Sequence, residues 1–257
     1  MIWEAWQYLI TPSSKLARQM GFLYESIAMS ARAKRCHTAW EPHYQNCRLA
    51  IEQAVSLCHS SKRKVLIFGA GTLQDIPLAL LSESFDWVLL VDIVITRDAQ
   101  HLLKPYRNIE YIEADVTNSL QRFQAGILKV DSPKAWLDDE TVDLVVSLNL
   151  ITQLPLLPVR WLKQRFQIND HQADQLGQGL IKAHLHYLQN FDAPVCLIAD
   201  RVDREFNRQA EKTDEFDPWW GVKPPSASKT WQWEVVTLAE SGTARRRQLN
   251  EVGVSYW

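Results

Sequence analysis

The chain has 257 residues, enough for one large α/β domain with a small elaboration rather than two independent cores. Its 28 basic and 30 acidic residues leave a formal charge of -2, so no overall basic field exists to hold nucleic acid. The longest apolar run, 87–91, stops at Asp92 and is too short to cross a bilayer. The first residues lack the layout of a signal peptide, and the four cysteines form no C-x-x-C pair. We expect a cytoplasmic protein with reduced thiols that binds neither membranes nor nucleic acid.

Helical signals fill the first part of the chain. Residues 12–14 offer a helix start, and apolar residues then recur at helical spacing. Glu41-Pro42 predicts a break before a second helix. No strand signal appears before Lys64. We therefore predict a helical segment over residues 1–60, on the substrate side, and a ligand-binding core over residues 61–257.

Short apolar runs alternate with helical stretches in the next part of the chain. Continuous apolar runs are expected of strands that are covered by helices on both faces. Their alternation with helices predicts a doubly wound, mostly parallel α/β sheet of Rossmann-like type. The runs that predict these strands are 64–68, 87–92, 109–115, 142–147 and 194–200.

The C-terminal part predicts two further strands, at 230–238 and 248–257, which bring the expected number to seven. No helix fits in the connection between them, which contains Gly242, so they should form an antiparallel hairpin. The stretch 217–229 is rich in Pro, Ser and Trp and is predicted to be a long loop.

The turn after the first predicted strand carries the main chemical signal. Gly69-Ala70-Gly71 stands between a buried strand and a helix, where glycine permits a tight turn and lets backbone N–H groups approach a ligand. The start of the following helix favours a carboxylate or phosphate. Gln74 replaces the third glycine of the dinucleotide fingerprint, so a tight turn without a ligand is the alternative. Asp75 either starts the helix or faces the ligand.

Acidic residues end the second and third predicted strands. Asp92 follows Gly71 by 21 positions, and a carboxylate there can accept both ribose hydroxyls of an adenosine ligand. Asp115 can accept the amino group of adenine, with Val116 against the ring; a solvated acid at a strand end is the alternative. This pattern indicates a nucleoside without distinguishing NAD from other adenosine cofactors.

The ordered set of motifs resembles class I S-adenosylmethionine (SAM)-dependent methyltransferases. The segments 65–78, 89–92, 112–116 and 142–150 are similar to their first four motifs, and the closing hairpin to their added antiparallel strand. The resemblance covers about residues 60–257. It implies SAM as the cofactor, with Gly69 and Gly71 at the methionine and ribose, Asp92 at the ribose and Asp115 at the adenine. The further cofactor-binding residues that we predict are Ala70, Asp75, Ile93, Val116 and Ser147.

One position departs from the family pattern. Many members carry an acid two residues before the first glycine, and Ile67 stands there in this chain. Either Asp75 compensates from the far side of the turn, or backbone carbonyls hold the amino group of the cofactor.

Three residues are candidates for the chemistry at the acceptor. Asn149, after the fourth strand, either orients a ligand or caps the next helix. Methyl transfer depends mainly on positioning, and a base is needed only if the acceptor arrives protonated. His37 in the helical segment and Asp200 in a predicted loop at 200–205 are candidate bases. No metal is predicted, because His37 and His43 lack a clear third ligand.

Three functions remain open at this stage. The first is a SAM-dependent methyltransferase with a small-molecule or peptide acceptor. The second is an NAD(P)-dependent oxidoreductase, against which Gln74 and the terminal hairpin argue. The third is a SAM-binding protein without catalysis, or an aminopropyl transferase that uses decarboxylated SAM; Ile67 keeps the non-catalytic alternative open.

Overall fold

The computed structural model describes residues 2–58, 62–241 and 246–257, with side chains from residue 6 onward. The helices in these ranges are α1 (Ile2–Ile10), α2 (Lys15–Gln19), α3 (Phe22–Arg35), α4 (His37–Leu57), α5 (Leu78–Ser84), α6 (Arg97–Leu103), α7 (Leu120–Gln124), α8 (Leu156–Phe166) and α9 (Asp170–Gln189). The strands are β1 (Lys64–Phe68), β2 (Trp87–Asp92), β3 (Ile109–Glu113), β4 (Val142–Leu148), β5 (Val195–Phe206), β6 (Lys212–Phe216), β7 (Lys229–Val236) and β8 (Arg247–Tyr256).

The strands form one mixed sheet in the order β3-β2-β1-β4-β5-β8-β7, and β6 pairs with β5 outside that path. The first five strands of this order pair in parallel, whereas β8 is antiparallel to both β5 and β7. The predicted doubly wound, mostly parallel sheet with a C-terminal antiparallel hairpin is confirmed. The connection predicted inside that hairpin includes residues 242–245, which lie outside the described residues. Over the described ranges the sheet has one strand more than expected, because the five exposed residues of β6 form no apolar run.

Helices cover both faces of the sheet, which explains its continuous apolar runs. Along β1, Val65 and Ile67 face the layer that contains α4, while Leu66 and Phe68 face the layer that contains α9. All four side chains have 0% solvent exposure. Full burial of a side chain of this size contributes about 1.5–3 kcal/mol. The central strands are thus fixed by hydrophobic burial, and the loops at their carboxyl ends start from fixed positions.

Helix α4 begins earlier than the sequence predicts. The break expected at Glu41-Pro42 lies instead at Cys36, and Pro42 stands inside α4. A proline in a helix interior costs about 3 kcal/mol or more, because a backbone hydrogen bond is lost. The same turns bury Trp40 and Tyr44 to 2% and 4% exposure within the core cluster on the sheet. This burial outweighs the cost of the proline.

Strand β5 is longer than predicted. Residues 200–205, expected to be a loop, continue the strand as far as Phe206. The outer half of β5 pairs with β8 on one edge and with β6 on the other, so its backbone groups have partners beyond the end of β4. A register shift between Asp200 and Val202 marks a β-bulge.

The N-terminal helices lie over the carboxyl ends of β2 and β3. The backbone N–H of Ser14, the N-cap of α2, donates to Glu113 Oε1 at 2.8 Å. Lys34 of α3 pairs with Asp98 at 2.6 Å. Helix α4, in contrast, packs along β4, β5 and β7 within the core. The division of the chain after residue 60 stays a prediction.

The four cysteines are buried and unpaired, as expected: Cys36, Cys47, Cys58 and Cys196. None of the helices in the described ranges is both long enough and apolar enough to cross a membrane.

Candidate ligand site

The carboxyl ends of the parallel strands form the edge at which open α/β sheets bind ligands. In this sheet β2 and β3 lie on one side of β1, and β4 and β5 lie on the other. The strand order therefore reverses between β1 and β4, and in folds of this type the ligand crevice lies at that switch point. The segments that follow β1, β2 and β4 meet there.

The turn after β1 is built on two glycines in the left-handed region, with φ of +82° at Gly69 and +50° at Gly71. A Cβ at Gly69 would lie 2.4 Å from the carbonyl oxygen of Leu148, so only glycine lets the turn approach the end of β4 this closely. The Gly69 N–H donates to the Val91 carbonyl at 3.0 Å, and Ala70 is fully buried. The turn is thus held on both sides, and Gly71 is exposed.

A loop separates this turn from the following helix. Residues 72–77 separate Gly71 from α5, which starts at Leu78 and has seven residues. The helix start that was expected to face a carboxylate or phosphate is therefore not part of the turn. Asp75 lies in the connecting loop, not in the helix.

Asp92 joins the ends of β1 and β2. Its Oδ2 accepts the Gly71 N–H at 2.8 Å, and its Oδ1 accepts the Ile93 N–H at 2.7 Å. Burial raises the pKa of Asp92, and these backbone donors oppose the rise. A carboxylate has about four acceptor positions, and the Val94 N–H also acts on Asp92, so about one or two positions remain for ribose hydroxyls. Ile93 packs against the cluster formed by the N-terminal helices and Val94.

Asp115 organises the loop after β3. Its Oδ1 accepts the backbone N–H and the hydroxyl of Thr117 at 2.9 and 2.6 Å, and its Oδ2 accepts the Leu120 N–H at 2.9 Å. It is therefore more than a solvated acid at a strand end. About one acceptor position remains for an adenine amino group. Val116 is half-buried beside it.

Ser147 was expected to bind the cofactor, but its side chain does not face the crevice. It is fully buried, and its Oγ lies 3.0 Å from Nε2 of His184 on α9. Side chains alternate between the faces of a strand, and this one points into the α9 layer. A cofactor contact through the Ser147 side chain is therefore corrected to a core contact.

Four polar side chains meet beside the glycine turn. The amide nitrogen of Asn149, the first residue after β4, lies 3.1 Å from Asp75 Oδ2 and 3.2 Å from His43 Nε2. Cys47, one turn after His43 on α4, has its Sγ 3.5 Å from the same imidazole nitrogen. Asn149 has a φ of +48°, a backbone conformation that asparagine adopts more readily than most residues.

Burial controls the charges of this cluster. It raises the pKa of Asp75 to about 6, against the opposing effects of Asn149 and Arg48. It lowers the pKa of His43 to about 3 and raises that of Cys47 well above its ordinary value. At pH 7 the imidazole and the thiol are therefore neutral, and Asp75 is mostly ionised.

His43, Cys47 and Asp75 resemble a metal-ligand set, with one ligand atom each within 4.8 Å of the others. The indole N–H of Trp231, which can only donate, lies 3.0 Å from His43 Nδ1. Neutral His43 then carries its proton on Nε2, which can donate to Cys47 Sγ at 3.5 Å. The approach of the Asn149 amide nitrogen to Nε2 is then a contact between two donors and not a hydrogen bond. A metal-binding histidine needs the opposite arrangement, because it donates through the nitrogen that is remote from the metal. The geometry favours a hydrogen-bonded cluster over a metal centre.

We expect zinc to leave the thermal stability of the protein unchanged. A metal present at 100 times its Kd would add about 2.7 kcal/mol to the free energy of unfolding. Differential scanning calorimetry with and without Zn²⁺ measures this directly. A stabilisation that disappears in Cys47→Ser but persists in the control His37→Gln would contradict the expectation.

Two acids lie on β5, and the first of them, Asp200, is next to this cluster. Asp200, a predicted candidate base, is 5% exposed, and its backbone follows Ile198, whose carbonyl accepts the Asn149 N–H at 2.9 Å. Burial and then the charge of Asp203 raise the pKa of Asp200 to about 7. Burial and the charge of Asp217 raise the pKa of Asp203 to about 6. Both carboxyls therefore titrate near neutral pH.

His37 is not part of this cluster. It is exposed at the start of α4, 3.9 Å from Glu41, and lines a cleft of about 100 Å³ with Thr72 and Asp98. Pockets that enclose a whole cofactor measure about 300 Å³ or more, so this cleft can take only part of one. The histidine that the fold brings to Asn149 is His43. The spacing of four between His43 and Cys47 on one helix face is the sequence signal that identifies this pair.

Comparison with known proteins yields similarity in fold only. No family model matches the chain, and no curated protein matches its sequence. A SAM-dependent methyltransferase from Leishmania major is 12% identical with a TM-score of 0.39, over 97% of this chain and 81% of that one. The N-methyltransferase NodS from Bradyrhizobium japonicum, solved with S-adenosylhomocysteine, is 9% identical with a TM-score of 0.37, over 83% and 86%. The DhpI-SAM-HEP complex is 13% identical with a TM-score of 0.38, over 93% and 99%.

Two of these three structures are described as methyltransferases. At such low identities and TM-scores, the activities of these proteins are not transferred to this one.

Proposed function

We propose that this protein binds SAM in the crevice between β1 and β4 and transfers its methyl group to a small-molecule or peptide acceptor. The observation that carries the proposal is the joint geometry of the glycine turn and Asp92. Gly69 allows the backbone to pass beside the end of β4, and Asp92 holds Gly71 at 2.8 Å while keeping acceptor positions free. Backbone N–H groups and a carboxylate at this edge are what a nucleoside with two ribose hydroxyls requires.

The sheet order favours SAM over a dinucleotide. In the classic dinucleotide-binding fold a sixth parallel strand lies beside the fifth. Here the antiparallel β8 occupies that position. The loop of six residues between Gly71 and α5 also leaves no helix start at the turn, where a dinucleotide pyrophosphate would bind.

In the proposed complex, the carboxylate of Asp75 is the partner of the cofactor's ammonium group. It replaces the acid that the family pattern has at the position of Ile67. The pKa of Asp75 is about 6, so at neutral pH its ionised form predominates, and this is the form that pairs with a cation. Asn149 fixes this carboxylate through its amide at 3.1 Å. SAM supplies an activated methyl group, and the residues of this chain would orient it and exclude water.

We expect S-adenosylhomocysteine to bind with micromolar affinity and NADH not to bind, as measured by isothermal titration calorimetry. Asp92→Asn should weaken S-adenosylhomocysteine binding about 100-fold, because hydrogen bonds to a charged group contribute about 1.5–3 kcal/mol each. Asp86 is an exposed acid that immediately precedes Trp87, at the opposite end of β2 from Asp92. The matched control Asp86→Asn should leave the affinity unchanged.

Each alternative function has its own outcome in this experiment. Binding of NADH alone would replace the proposal with an oxidoreductase. If neither ligand binds, the proposal of a nucleoside site at this edge of the sheet is wrong. Binding of S-adenosylhomocysteine without turnover of any acceptor would favour a non-catalytic SAM-binding protein.

A further inference from the structure

We propose that the acceptor is a protonated amine, held by Asp203 and deprotonated by Asp200 before its nitrogen receives the methyl group. This inference rests on the proposed function and names its substrate class. It depends on two carboxylates of β5, on the bulge that aligns them, and on polar atoms around them that lack partners.

The bulge at Arg201 places both carboxylates on one face of the sheet. Asp200 lies opposite Val252 of β8, and Asp203 lies opposite Asn250. Val252 and Asn250 are two residues apart on one strand, so they point to the same face, and their partners do too. Without the extra residue, positions 200 and 203 would point to opposite faces. Bulges of this kind are found next to active sites, where they re-aim a side chain.

The shared face is the one that carries α4 and the Asn149 cluster. Val252 belongs to the core cluster of α4, and the charge of Asp200 contributes to the raised pKa of Cys47. The ammonium partner Asp75 acts on the same thiol. Asp200 therefore lies beside the methionine end of the proposed cofactor site, and Asp203 lies farther out along β5.

Several buried polar atoms on this face have no hydrogen-bond partner. They include Oδ1 of Asp200, of Asp203 and of Asn149, and Nε1 of Trp233, which is 6% exposed and lies opposite Asn250 on β7. An unsatisfied buried polar atom costs about 1–3 kcal/mol, so a concentration of such atoms calls for an explanation. Three of the four are acceptors, which a ligand rich in N–H donors would satisfy.

The charges that face Asp200 and Asp203 are acidic or neutral. Asn250 hydrogen-bonds to Asp200, Cys47 of α4 is neutral, and Asp217 adds a further negative charge near Asp203. Among the described residues, neither Asp200 nor Asp203 forms an ion pair with a basic side chain. A protonated amine supplies the missing positive charge, whereas an alcohol leaves both carboxylates uncompensated and an anion is repelled.

The chemical step balances without any other reagent. The ammonium group of the acceptor gives one proton to the Asp200 carboxylate, which frees the nitrogen lone pair. That lone pair forms the new N–C bond, while the methyl–sulfur bond breaks and its electron pair stays on sulfur. The products are the methylated ammonium, S-adenosylhomocysteine and protonated Asp200, which returns its proton to solvent. A pKa of about 7 suits Asp200 to accept and release a proton near neutral pH.

The test compares benzylamine, benzyl alcohol and benzoate, which differ mainly in charge, with methylamine and putrescine as a smaller and a longer amine. Binding is measured by calorimetry with and without saturating S-adenosylhomocysteine, and turnover by formation of S-adenosylhomocysteine from SAM. We expect only amines to bind and to be methylated. Asp203→Asn should weaken amine binding about tenfold or more.

Asp200→Asn should lower turnover about 10²- to 10⁴-fold while amine binding changes much less, and it should abolish the rise of kcat/KM through pH 7. Asp174→Asn, an exposed acid on α9, should change none of these. Preference for the alcohol or the carboxylate, no binding of any amine, or unchanged amine binding in Asp203→Asn would overturn the inference. Failure of S-adenosylhomocysteine to bind would instead overturn the proposed function, and amine binding to the cofactor-free protein would still test Asp203.

Discussion

Asp200→Asn is expected to stabilise the folded protein at pH 8 by roughly 2–4 kcal/mol, because each unit of pKa difference corresponds to 1.36 kcal/mol. The pKa of Asp200 rises from 3.8 to about 7 on folding. Below pH 4 the carboxyl is protonated in both states, and its ionisation costs nothing. As the pH rises from about 4 to 7 the unfolded chain ionises first, so the folded state loses stability, and the cost is complete above pH 7. Asparagine carries no such charge.

Urea unfolding of the variant and the parent at pH 5 and pH 8 measures this effect. The stabilisation at pH 5 should be less than half of that at pH 8. The exposed control Asp174→Asn should stay within about 0.5 kcal/mol of the parent at both values. If the Asp200→Asn variant is less stable than the parent by the same amount at both pH values, the expectation is wrong. Asp200 then contributes to folding as an ordinary hydrogen-bonded core residue. A gain in stability joined to a loss of turnover is the pattern of a group kept for function.

Gly69→Ala is expected to lower the free energy of unfolding by about 3–5 kcal/mol and to abolish S-adenosylhomocysteine binding. The new Cβ would be 2.4 Å from the Leu148 carbonyl oxygen and 2.9 Å from Leu150 Cβ. The first of these is a backbone atom of a central strand and cannot move aside. Either β1 and β4 separate at the crevice, or the turn adopts another course, and both changes displace Gly71 from Asp92.

The control Gly21→Ala measures the effect of a left-handed backbone conformation without a steric clash of the new Cβ. Gly21, the N-cap of α3, has a φ of +88° with nothing within 4 Å of its would-be Cβ, so alanine there meets only the left-handed penalty of about 1–2 kcal/mol. Denaturant unfolding of both variants, with calorimetric titration of S-adenosylhomocysteine, gives the comparison. Equal destabilisation by the two substitutions would show that the close approach of the turn to β4 is not what requires glycine at position 69.

The sequence predicted the central strands because they are buried on both faces. Strands β1, β2 and β4 appear as continuous apolar runs. The glycine turn follows β1 directly, and Asp92 is the last residue of β2. Strand β6 and the outer half of β5 carry no such signal. Strand β6 is stabilised by pairing with the outer half of β5 in a local hairpin. The outer half of β5 also pairs with β8, and these contacts join residues far apart in the chain.

The acceptor side was predicted less well for the same reason. Asn149 and Asp200 are sequence candidates because each follows or ends an apolar run. The sequence favours His37 over His43 because the predicted break at Glu41-Pro42 hides the continuous helix α4, which turns His43 and Cys47 towards Asn149. The proton on His43 is set by Trp231, 188 positions away, and no local pattern could reveal it.

The four buried thiols give this protein a built-in set of probes for opening. Cys36 and Cys58 flank α4, Cys47 lies in its middle, and Cys196 lies beneath it on β5, with its Sγ 4.0 Å from the Ala50 carbonyl. Burial slows the alkylation of all four while α4 is packed on the sheet, and most of all that of Cys47 and Cys196, which have 0% exposure. The rate at which each thiol reacts therefore reports how often that part of α4 separates from the sheet by local unfolding. The order in which the thiols are labelled would show at which end of α4 this separation begins.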